Sequence, residues 1–478
     1  MLYKYDFPFI MSIGYCQELQ VYCVQKEGRP LRSPVKGEKQ MKRQVLSKVI
    51  LAGMALALVP AAALGISRYQ TPDVRAAEAV TWKESSGLGV LSWPQNLNAV
   101  RWELEVFAGV PAGLDDETPV SGAVYRNEHI YMNSVMLDTT TLPQGEPLFF
   151  RVRAYDLDGN PVGHWSQPAE LTSSLTKAGR NAPTPHNPYN KGNGTVLLYP
   201  VYAYTPNPGA EKFEVEVLDH YPEKLDGWAP SKYRVYADVT ELTDLYDKRP
   251  RTGTYYWRVR GMDRAGNPVG EWSLPQEMHT APSDHWKVAV FGDSISHGGG
   301  HLSFSPADFS YSYESYLDFP SINLSESGDT SEMMVDRFQR DVVPFHPDYL
   351  LVMGGTNSLR AGVSPDSVIS DLKKIQKEAK DHGMTPILMT LPPINPENIE
   401  KAFQEPTYEG WRDSFARVND FIRTQPHIDT AAPFAQMDEI PTWLALDGLH
   451  GDWNMKRIMA SEINREMPRF TGSGEYSF

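Results

Sequence analysis

The chain has 478 residues, a length that exceeds one ordinary hydrophobic core and indicates about two to four domains of roughly 100–200 residues each. Hydrophobic residues make up 41% of the chain, which is enough for packed cores. The formal net charge is −15, and because residues 1–80 carry 11 basic and 6 acidic side chains, the rest of the chain carries −20. This acidity argues against nucleic acid or an anionic surface as a partner.

An apolar run of 18 residues, 49–66, follows a basic start at Lys42 and Arg43. Together with the small residues at 60–63, this pattern is typical of an export signal spanning 41–66. The run also approaches the length of a membrane span, so an uncleaved membrane anchor is the alternative. Its lack of a polar face argues against a buried core helix. In either case the bulk of the protein is predicted to be extracellular or at the cell surface.

Residues 1–40 precede this segment, although export signals normally begin at the initiator methionine. We therefore predict that translation starts at Met41 and that residues 1–40 are a doubtful upstream leader. Both cysteines, Cys16 and Cys23, lie in that leader. The exported part then has no cysteine, which excludes a disulfide, a cysteine nucleophile and a Cys-rich zinc site from it.

An internal repeat occupies the middle of the chain. Residues 151–168 and 258–275 are offset by 107 positions and identical at 12 of 18. Each copy reads as an alternating strand, a Gly-Asn turn and a short strand that ends in Trp-Ser-x-Pro, and earlier runs such as 195–199 and 213–217 alternate likewise. The period indicates a duplicated antiparallel sandwich.

Both copies resemble fibronectin type III domains, with predicted bounds 81–173 and 190–280. The resemblance implies spacers or glycan-proximal modules of a secreted enzyme. Two tryptophans at equivalent positions, Trp165 and Trp272, could stack on sugar rings if exposed. Packing against the edge of each sandwich is the favoured interpretation.

The pattern of apolar residues changes after residue 285. Turn-rich linkers at 176–188 and 281–284 separate the repeats from each other and from the C-terminal part of the chain. In that part, apolar strand-like runs alternate with helical patterns, which predicts a parallel sheet covered by helices. The predicted strands are 288–291, 321–324, 349–353 and 387–391; the predicted helices are 364–383, capped by Ser364, a helix with an apolar stripe from Trp411 to Ile422, and a terminal helix that begins near Asp452.

Polar motif residues come directly after these strands, where functional groups of parallel sheets gather. A serine nucleophile needs a base and a group that orients the base, and Ser294, His450 and Asp447 are the candidates for these roles. The developing oxyanion needs fixed donors, for which we predict the backbone N–H groups of Ser294 and Gly328 and the side-chain amide of Asn357.

The ordered set of Gly-Asp-Ser at 292–294, Gly328, Asn357 and Asp-x-x-His at 447–450 resembles the SGNH, or GDSL, hydrolase family. The resemblance covers roughly residues 286–468, in a domain predicted at 286–470. The fold class is therefore two all-β fibronectin type III-like sandwiches and, after them, an α/β/α SGNH-hydrolase domain, flavodoxin-like, with a parallel sheet. The family implies a serine carboxylic-ester hydrolase that needs no cofactor and no metal.

The chain departs from the family pattern at two positions. Ile295 stands where the family commonly has leucine, a conservative change, and Ser358 stands where it commonly has aspartate, which puts the bracing of the Asn357 loop in doubt. His297 and His301 flank three glycines, but without paired ligand spacing they indicate a glycine loop at the cleft rim and not a metal site. Composition leaves a glycosidase open, although no carboxylate pair is singled out by position.

We therefore predict a secreted or surface serine esterase that takes an acylated glycan as its ester substrate and deacetylates O-acetylated polysaccharide. A lipid or lysophospholipid esterase is one alternative, and a non-catalytic glycan-binding surface protein is another. Nucleic acid is not an expected partner, and residues 49–66 could tether the protein to a membrane. The acyl-chain length, the alcohol portion and the oligomeric state stay open at this point.

Overall fold

The computed structural model describes residues 87–186, 197–298 and 309–472. The predicted upstream leader at 1–40 and the predicted signal or anchor at 41–66 lie outside these ranges. Within them, no helix has both the length and the apolar character required to cross a membrane.

The first β unit consists of two antiparallel sheets. One sheet has the strand order β4-β1-β8, and the other has the order β3-β2-β5-β6, with β7 also pairing with β5. Its core lies between alternating apolar side chains such as Leu104, Val106, Phe150 and Val152. The elements are β1 (Leu88–Ser92), β2 (Arg101–Ala108), β3 (Tyr125–Ile130), β4 (Ser134–Asp138), β5 (Leu148–Tyr155), β6 (Pro161–Val162), β7 (Ala169–Glu170), α1 (Leu171–Ser174) and β8 (Thr176–Lys177).

The second β unit repeats this arrangement. Its sheets have the orders β13-β10-β9 and β12-β11-β14-β15, with β16 also pairing with β14. Val201 and Ala203 of its first sheet pack into the core of the first β unit, so the two units are in contact. The strands are β9 (Thr184–His186), β10 (Val201–Thr205), β11 (Lys212–Leu218), β12 (Arg234–Thr240), β13 (Asp244–Tyr246), β14 (Gly253–Met262), β15 (Pro268–Val269) and β16 (Gln276–Thr280). Assignment of either unit to the fibronectin type III family stays a prediction.

Each β unit buries the same trio of a glutamate, an arginine and a tryptophan. The guanidinium carbon lies 4.5 Å from the tryptophan ring centroid in the first unit and 4.7 Å in the second. The arginine pairs with the glutamate at 3.0 Å and 2.6 Å. With 3% and 0% of their surface exposed, the tryptophans cannot stack on sugars and instead pack within the units. The trios are Glu105, Arg151 and Trp165, and Glu216, Arg258 and Trp272.

The boundaries between the units differ from the predicted ones. Strand β8 pairs with β1 beyond the predicted end at 173, and β9 pairs with β10 before the predicted start at 190, so both strands lie inside the predicted linker. Of the strand predicted at 195–199, the described residues 197–199 do not join the sheets of the second unit: Leu197 forms an isolated parallel bridge with Asn323, and the next two residues join the core of the C-terminal domain. The alternation of apolar and polar residues along a strand is the same whichever sheet the strand joins. The sequence pattern alone therefore could not assign this segment to a unit.

The C-terminal domain has a five-stranded parallel sheet of order β18-β17-β19-β20-β21, with helices packed against it. The strands are β17 (Val288–Gly292), β18 (Ile322–Asn323), β19 (Tyr349–Met353), β20 (Thr385–Met389) and β21 (His427–Ile428). The helices are α2 (Ser294–His297), α3 (Ser331–Asp341), α4 (Thr356–Arg360), α5 (Pro365–Asp381), α6 (Pro396–Phe403), α7 (Trp411–Arg423), α8 (Trp453–Glu466) and α9 (Pro468–Thr471).

Local sequence rules account for the ends of the longer helices. Ser364 caps α5 by accepting the N–H of Ser367, and Asp452 caps α8 by accepting two backbone N–H groups. The apolar stripe of α7, from Trp411 to Ile422, faces the core. The fourth predicted strand at 387–391 instead spans residues 385–389, a shift of two residues.

Candidate active site

Ser294 is the first residue of α2, directly after β17. Asp293 caps this short helix, since its carboxylate accepts the N–H of Ile295 at 3.0 Å. Gly292 allows the end of β17 to lie close to β19, because a Cβ there would lie 2.2 Å from the carbonyl oxygen of Met353 on that strand. The turn therefore presents the Ser294 hydroxyl at the carboxyl edge of the sheet.

The loop before α8 brings the other two predicted residues to this hydroxyl. His450 Nε2 lies 2.8 Å from Ser294 Oγ, and His450 Nδ1 lies 2.9 Å from Asp447 Oδ2. The second carboxylate oxygen of Asp447 accepts the backbone N–H groups of Leu449 and His450 at 2.8 Å and 2.7 Å. The three side chains therefore form one continuous hydrogen-bonded chain across 156 residues of sequence.

Asp447 is completely buried, and burial by itself would raise the pKa of its carboxyl. The charge of a protonated His450 and the hydrogen bonds from His450 and Leu449 outweigh burial, so the pKa of Asp447 lies below its usual value. The carboxylate is thus held ionised next to the imidazole. It can fix one tautomer of His450 and stabilise the imidazolium form.

The two predicted oxyanion donors beyond Ser294 lie on a loop and on a short helix that a hydrogen bond connects. Gly328 lies after β18 and has a φ of +95°, a conformation that favours glycine. Asn357 is in α4, and its Nδ2 donates to the carbonyl oxygen of Asp329 at 3.0 Å. This bond ties the amide of Asn357 to the residue after Gly328. The amide has a second N–H that can meet a ligand.

Ser358 braces the Asn357 loop, which removes the doubt raised by the missing aspartate. The Ser358 hydroxyl accepts the backbone N–H of Ser331 at 3.0 Å, at the start of α3. The Ser331 hydroxyl in turn donates to Asp371 Oδ2 of α5 at 2.8 Å. A carboxylate therefore supports this loop from another helix, where the sequence motif could not reveal it.

Sequence analysis missed Arg337, a buried residue of α3 that connects two of the site loops. Its guanidinium donates to Asp329 Oδ2 at 2.6 Å, to the carbonyl of Leu324 at 2.6 Å and to the carbonyl of Gly292 at 3.2 Å. Burial raises the pKa of Asp329 to about 7 despite this cation. Arg337 holds the turn before Ser294 and the Gly328 loop at a fixed separation. In the sequence it looks like any polar residue of an amphipathic helix.

A second residue that sequence analysis missed, Lys456 of α8, lies beneath the site. Its Nζ is fully buried and donates to the carbonyl of Ile295 at 2.7 Å. Burial lowers the pKa of Lys456 to about 7, against the opposing effect of Asp293, Asp447 and Asp452. The bond joins α8 to the helix that carries Ser294. A lysine in the middle of a helix gives no sequence pattern that distinguishes it from a surface lysine.

His297 does not lie at an open rim as predicted. It is buried, with Nδ1 2.7 Å from Ser327 Oγ and Nε2 2.8 Å from the carbonyl oxygen of Tyr199. Burial lowers the pKa of His297 to about 4, so the ring is neutral at physiological pH. The sequence could not show that the segment between β9 and β10 covers this ring. His301, the other histidine of the predicted glycine loop, lies outside the described residues.

Among the described residues, one group of side chains has ligand atoms close enough to share a metal ion. Asp116, Glu117 and His164 of the first β unit bring these atoms within 4.8 Å of one another. All three are exposed, and such acidic surface groups are common without an ion. They lie in a different unit from Ser294.

The C-terminal domain is an α/β domain with a hydrogen-bonded serine, histidine and aspartate at the carboxyl edge of its parallel sheet. Residues 290–452 match the family model of the GDSL-like lipase/acylhydrolase family. This part of the chain is therefore a GDSL/SGNH hydrolase domain, and the family implies an ester hydrolase.

The chain also shares sequence similarity with individual proteins. It is similar to thioesterase 1/protease 1/lysophospholipase L1 of Escherichia coli strain K12, with 25% identity over 214 residues that cover 42% of this chain and 94% of that protein. A stretch of 79 residues, 15% of this chain, is 37% identical to 32% of an uncharacterised lipoprotein, YqeF, of Bacillus subtilis strain 168.

Two solved structures resemble part of the chain. A GDSL-like lipase from Bacteroides thetaiotaomicron matches with a TM-score of 0.31 and 19% identity, over 39% of this chain and 90% of that chain. An acetylxylan esterase from Geobacillus stearothermophilus matches with a TM-score of 0.30 and 22% identity, over 38% of this chain and 94% of that chain.

Proposed function

We propose that the C-terminal domain hydrolyses carboxylic esters through an acyl-enzyme on Ser294. The observation that carries the proposal is the continuous chain from Ser294 Oγ through both nitrogens of His450 to Asp447, with separations of 2.8 Å and 2.9 Å. A serine hydroxyl is a weak nucleophile at neutral pH, so it needs a base in this position.

In the proposed reaction, Ser294 Oγ attacks the ester carbonyl while His450 Nε2 takes its proton. His450 then gives this proton to the departing alcohol, and the C–O bond of the ester breaks. A water molecule, deprotonated by His450, attacks the acyl-enzyme and releases the carboxylic acid and the Ser294 hydroxyl. Asp447 stays ionised throughout and orients the imidazole.

Three donors are proposed to stabilise the oxyanion of each tetrahedral intermediate. They are the backbone N–H groups of Ser294 and Gly328 and the Nδ2 of Asn357, the residues predicted from the sequence motifs. The bond from Asn357 to the Asp329 carbonyl supports this role because it holds the amide in place before substrate binds.

For the substrate we propose an O-acetylated polysaccharide that the protein meets outside the cytoplasm, as a secreted or surface-tethered enzyme. The predicted export segment at 41–66 and the two β units before the hydrolase domain support this choice. A lipid or lysophospholipid ester is the second candidate, favoured by the sequence similarity to an Escherichia coli protein named as a thioesterase and lysophospholipase. The intact serine, histidine and aspartate chain speaks against a purely glycan-binding protein.

The first test compares the full chain with Ser294→Ala on p-nitrophenyl acetate, butyrate and octanoate. Ser296→Ala is the matched control, because it removes a hydroxyl from the same helix that accepts a hydrogen bond from Tyr313 and not from His450. We expect hydrolysis by the parent and by Ser296→Ala, and its loss in Ser294→Ala. Equal rates in parent and Ser294→Ala, or no hydrolysis by the parent, would reject the esterase.

A second comparison separates the two substrate classes. Acetate release from acetylated xylan is measured beside fatty-acid release from lysophosphatidylcholine. Preference for acetate release and for the shortest p-nitrophenyl ester supports the polysaccharide deacetylase, whereas fatty-acid release with preference for the octanoate supports the lipid esterase.

A further inference from the structure

A hydrophobic cluster joins the first β unit to the hydrolase domain. Tyr131, the residue after β3, is a buried member with 7% of its surface exposed. Turns of the same unit add Leu97 and Leu157, and the hydrolase domain adds Ala402, Phe403 and Trp453. Burial of apolar surface is the main source of stability in such contacts, at about 25 cal/mol per Å². The first β unit is therefore packed against the hydrolase domain through a shared apolar core.

This cluster reaches the proposed catalytic base. The ring of Phe403 stands edge-on to the imidazole of His450, with ring centroids 5.9 Å apart and an interplanar angle of 84°. Phe403 is the last residue of α6, next to the buried Ala402 of the cluster. Trp453, another member, begins α8 only three residues after His450. The aromatic side chain beside His450 thus packs both against the main core of the hydrolase domain and against the cluster that includes Tyr131 of the first β unit.

An exposed ion pair adds to the same contact. Lys401 Nζ lies 3.5 Å from Asp158 Oδ2 of the first β unit and 3.1 Å from Glu397 of its own helix. Exposed pairs of this kind contribute little stability because water and salt screen them. The pair does, however, cross from the first unit to α6, in agreement with the position of the apolar cluster.

The chemistry of ester hydrolysis indicates which part of the substrate would lie beside Phe403 and His450. His450 must pass a proton to the departing alcohol, so the alcohol oxygen has to come within hydrogen-bond reach of Nε2, about 3 Å. The alcohol portion of the ester therefore lies on the His450 side of the site, and the carbonyl oxygen lies toward the oxyanion donors. Phe403 is only partly buried, so some of its ring remains available beside the alcohol portion.

We propose that Phe403 forms the alcohol-side wall of the ester site and that the first β unit, through Tyr131, sets the position of this wall. The inference rests on the esterase proposed above and names the alcohol that the site prefers: a cyclic sugar alcohol, whose C–H face can pack on an aromatic ring. Phe403 acts as a specificity-determining residue and Tyr131 as a positioning residue.

The test measures one ratio in the full-length protein: kcat/KM for a methyl O-acetyl-xyloside divided by kcat/KM for ethyl acetate. Both esters carry the same acyl group, so the ratio reports only on the alcohol side. Phe403→Ala is expected to lower the ratio about tenfold, mainly through KM of the sugar ester, as expected for loss of one aromatic contact. Phe403→Leu, which keeps most of the packing volume, should lower it in the same direction and guards against misfolding.

The remaining variants test the link to the first β unit. Tyr131→Ala should lower the same ratio, and Tyr131→Phe should restore it because the ring and not the hydroxyl supports the wall. Phe421→Ala is the matched control: Phe421 is a partly buried phenylalanine that packs on the main core of the domain, away from the interface cluster. Its ratio should equal that of the parent.

Two outcomes overturn the inference, and they are distinguishable. If the parent hydrolyses both esters with Ser294 dependence but the Phe403 variants keep the parental ratio, the role of Phe403 as the alcohol-side wall is refuted and the proposed esterase activity is supported. If the parent hydrolyses neither ester, the proposed function fails and the wall fails with it.

Discussion

The replacement Asp447→Asn tests how the site controls the tautomer of His450. In the structure one oxygen of Asp447 accepts the backbone N–H groups of Leu449 and His450, and the other oxygen faces His450 Nδ1 at 2.9 Å. In the amide variant the two backbone donors still require an oxygen. The asparagine must therefore turn its NH₂ group toward Nδ1.

An N–H group that points at Nδ1 makes this nitrogen an acceptor and moves the proton of the neutral ring to Nε2. Nε2 would then donate to Ser294 Oγ, 2.8 Å away, and could no longer take the serine proton. The same exchange in a serine protease lowers kcat by about 10⁴, which corresponds to about 5 kcal/mol in the activation barrier. We expect a loss of about this size here.

The assay is kcat for p-nitrophenyl acetate, with thermal unfolding as a check that each variant is folded. Asp452→Asn is the control, because Asp452 is a nearby buried carboxyl that caps α8 and makes no hydrogen bond to His450. An amide oxygen can still cap the helix, so kcat should stay near that of the parent. A folded Asp447→Asn protein with kcat within about tenfold of the parent would refute the tautomer mechanism.

Three further predictions concern the oxyanion donor, a buried ion pair and pH. Asn357→Ala should lower kcat by about 10²–10³, and the isosteric Asn357→Asp should lower it at least as much because a carboxylate cannot donate; activity retained in Asn357→Asp would exclude the amide as a donor. Glu105→Gln leaves the guanidinium of Arg151 without its buried counter-ion and should destabilise the protein by about 3–5 kcal/mol in chemical denaturation, whereas a change below about 1 kcal/mol would mean that water or the backbone solvates the cation. Burial raises the pKa of Asp244 to about 8, so the folded state retains a proton that the unfolded chain loses near pH 4, and stability falls as the pH rises between about 4 and 8. Because asparagine cannot ionise, Asp244→Asn should raise Tm more at pH 8 than at pH 4. An equal shift of Tm at both pH values would contradict this.

Arg337 and Lys456, the two residues that the sequence motifs did not reveal, hold the segments of the site together through buried hydrogen bonds. Arg337 fixes the separation of the Ser294 turn and the Gly328 loop, and Lys456 ties α8 to the helix of Ser294. Both cations are buried and bonded to main-chain carbonyl oxygens, which is costly unless the geometry is complete. They are therefore part of the folded architecture and not of the reacting groups.

The duplicated β units illustrate what a repeat can and cannot tell. The identical Arg-Val-Arg and Trp-Ser-x-Pro segments are enough to place Arg151 and Trp165 at positions equivalent to those of their counterparts in the second unit. The structure adds the buried glutamate that pairs with each arginine, which lies outside the repeated segment on β2 or β11. The favoured interpretation of the tryptophans, packing within the units, agrees with their burial.

Sequence alone determined those features of the protein that depend on neighbours within about one turn or one strand. The caps at Ser364 and Asp452, the stripe of α7 and the glycine at 328 all result from local hydrogen bonding, periodicity and allowed φ values. The order of motif residues after successive strands also sufficed to nominate Ser294, because parallel strands end at one edge of the sheet.

Only the tertiary structure decided which distant segments meet. His297 bonds to Tyr199, 98 residues away, and His450 packs against Phe403, which lies 47 positions before it and packs on a cluster that includes residues of the first β unit. A buried apolar side chain is stabilised by whichever surface excludes water around it, and a buried basic side chain by whichever oxygen atoms accept its hydrogen bonds. Nothing in the local sequence pattern names either partner. The three residues Ser294, Asp447 and His450 could therefore be nominated from motifs, whereas the side chains packed around them required the folded chain.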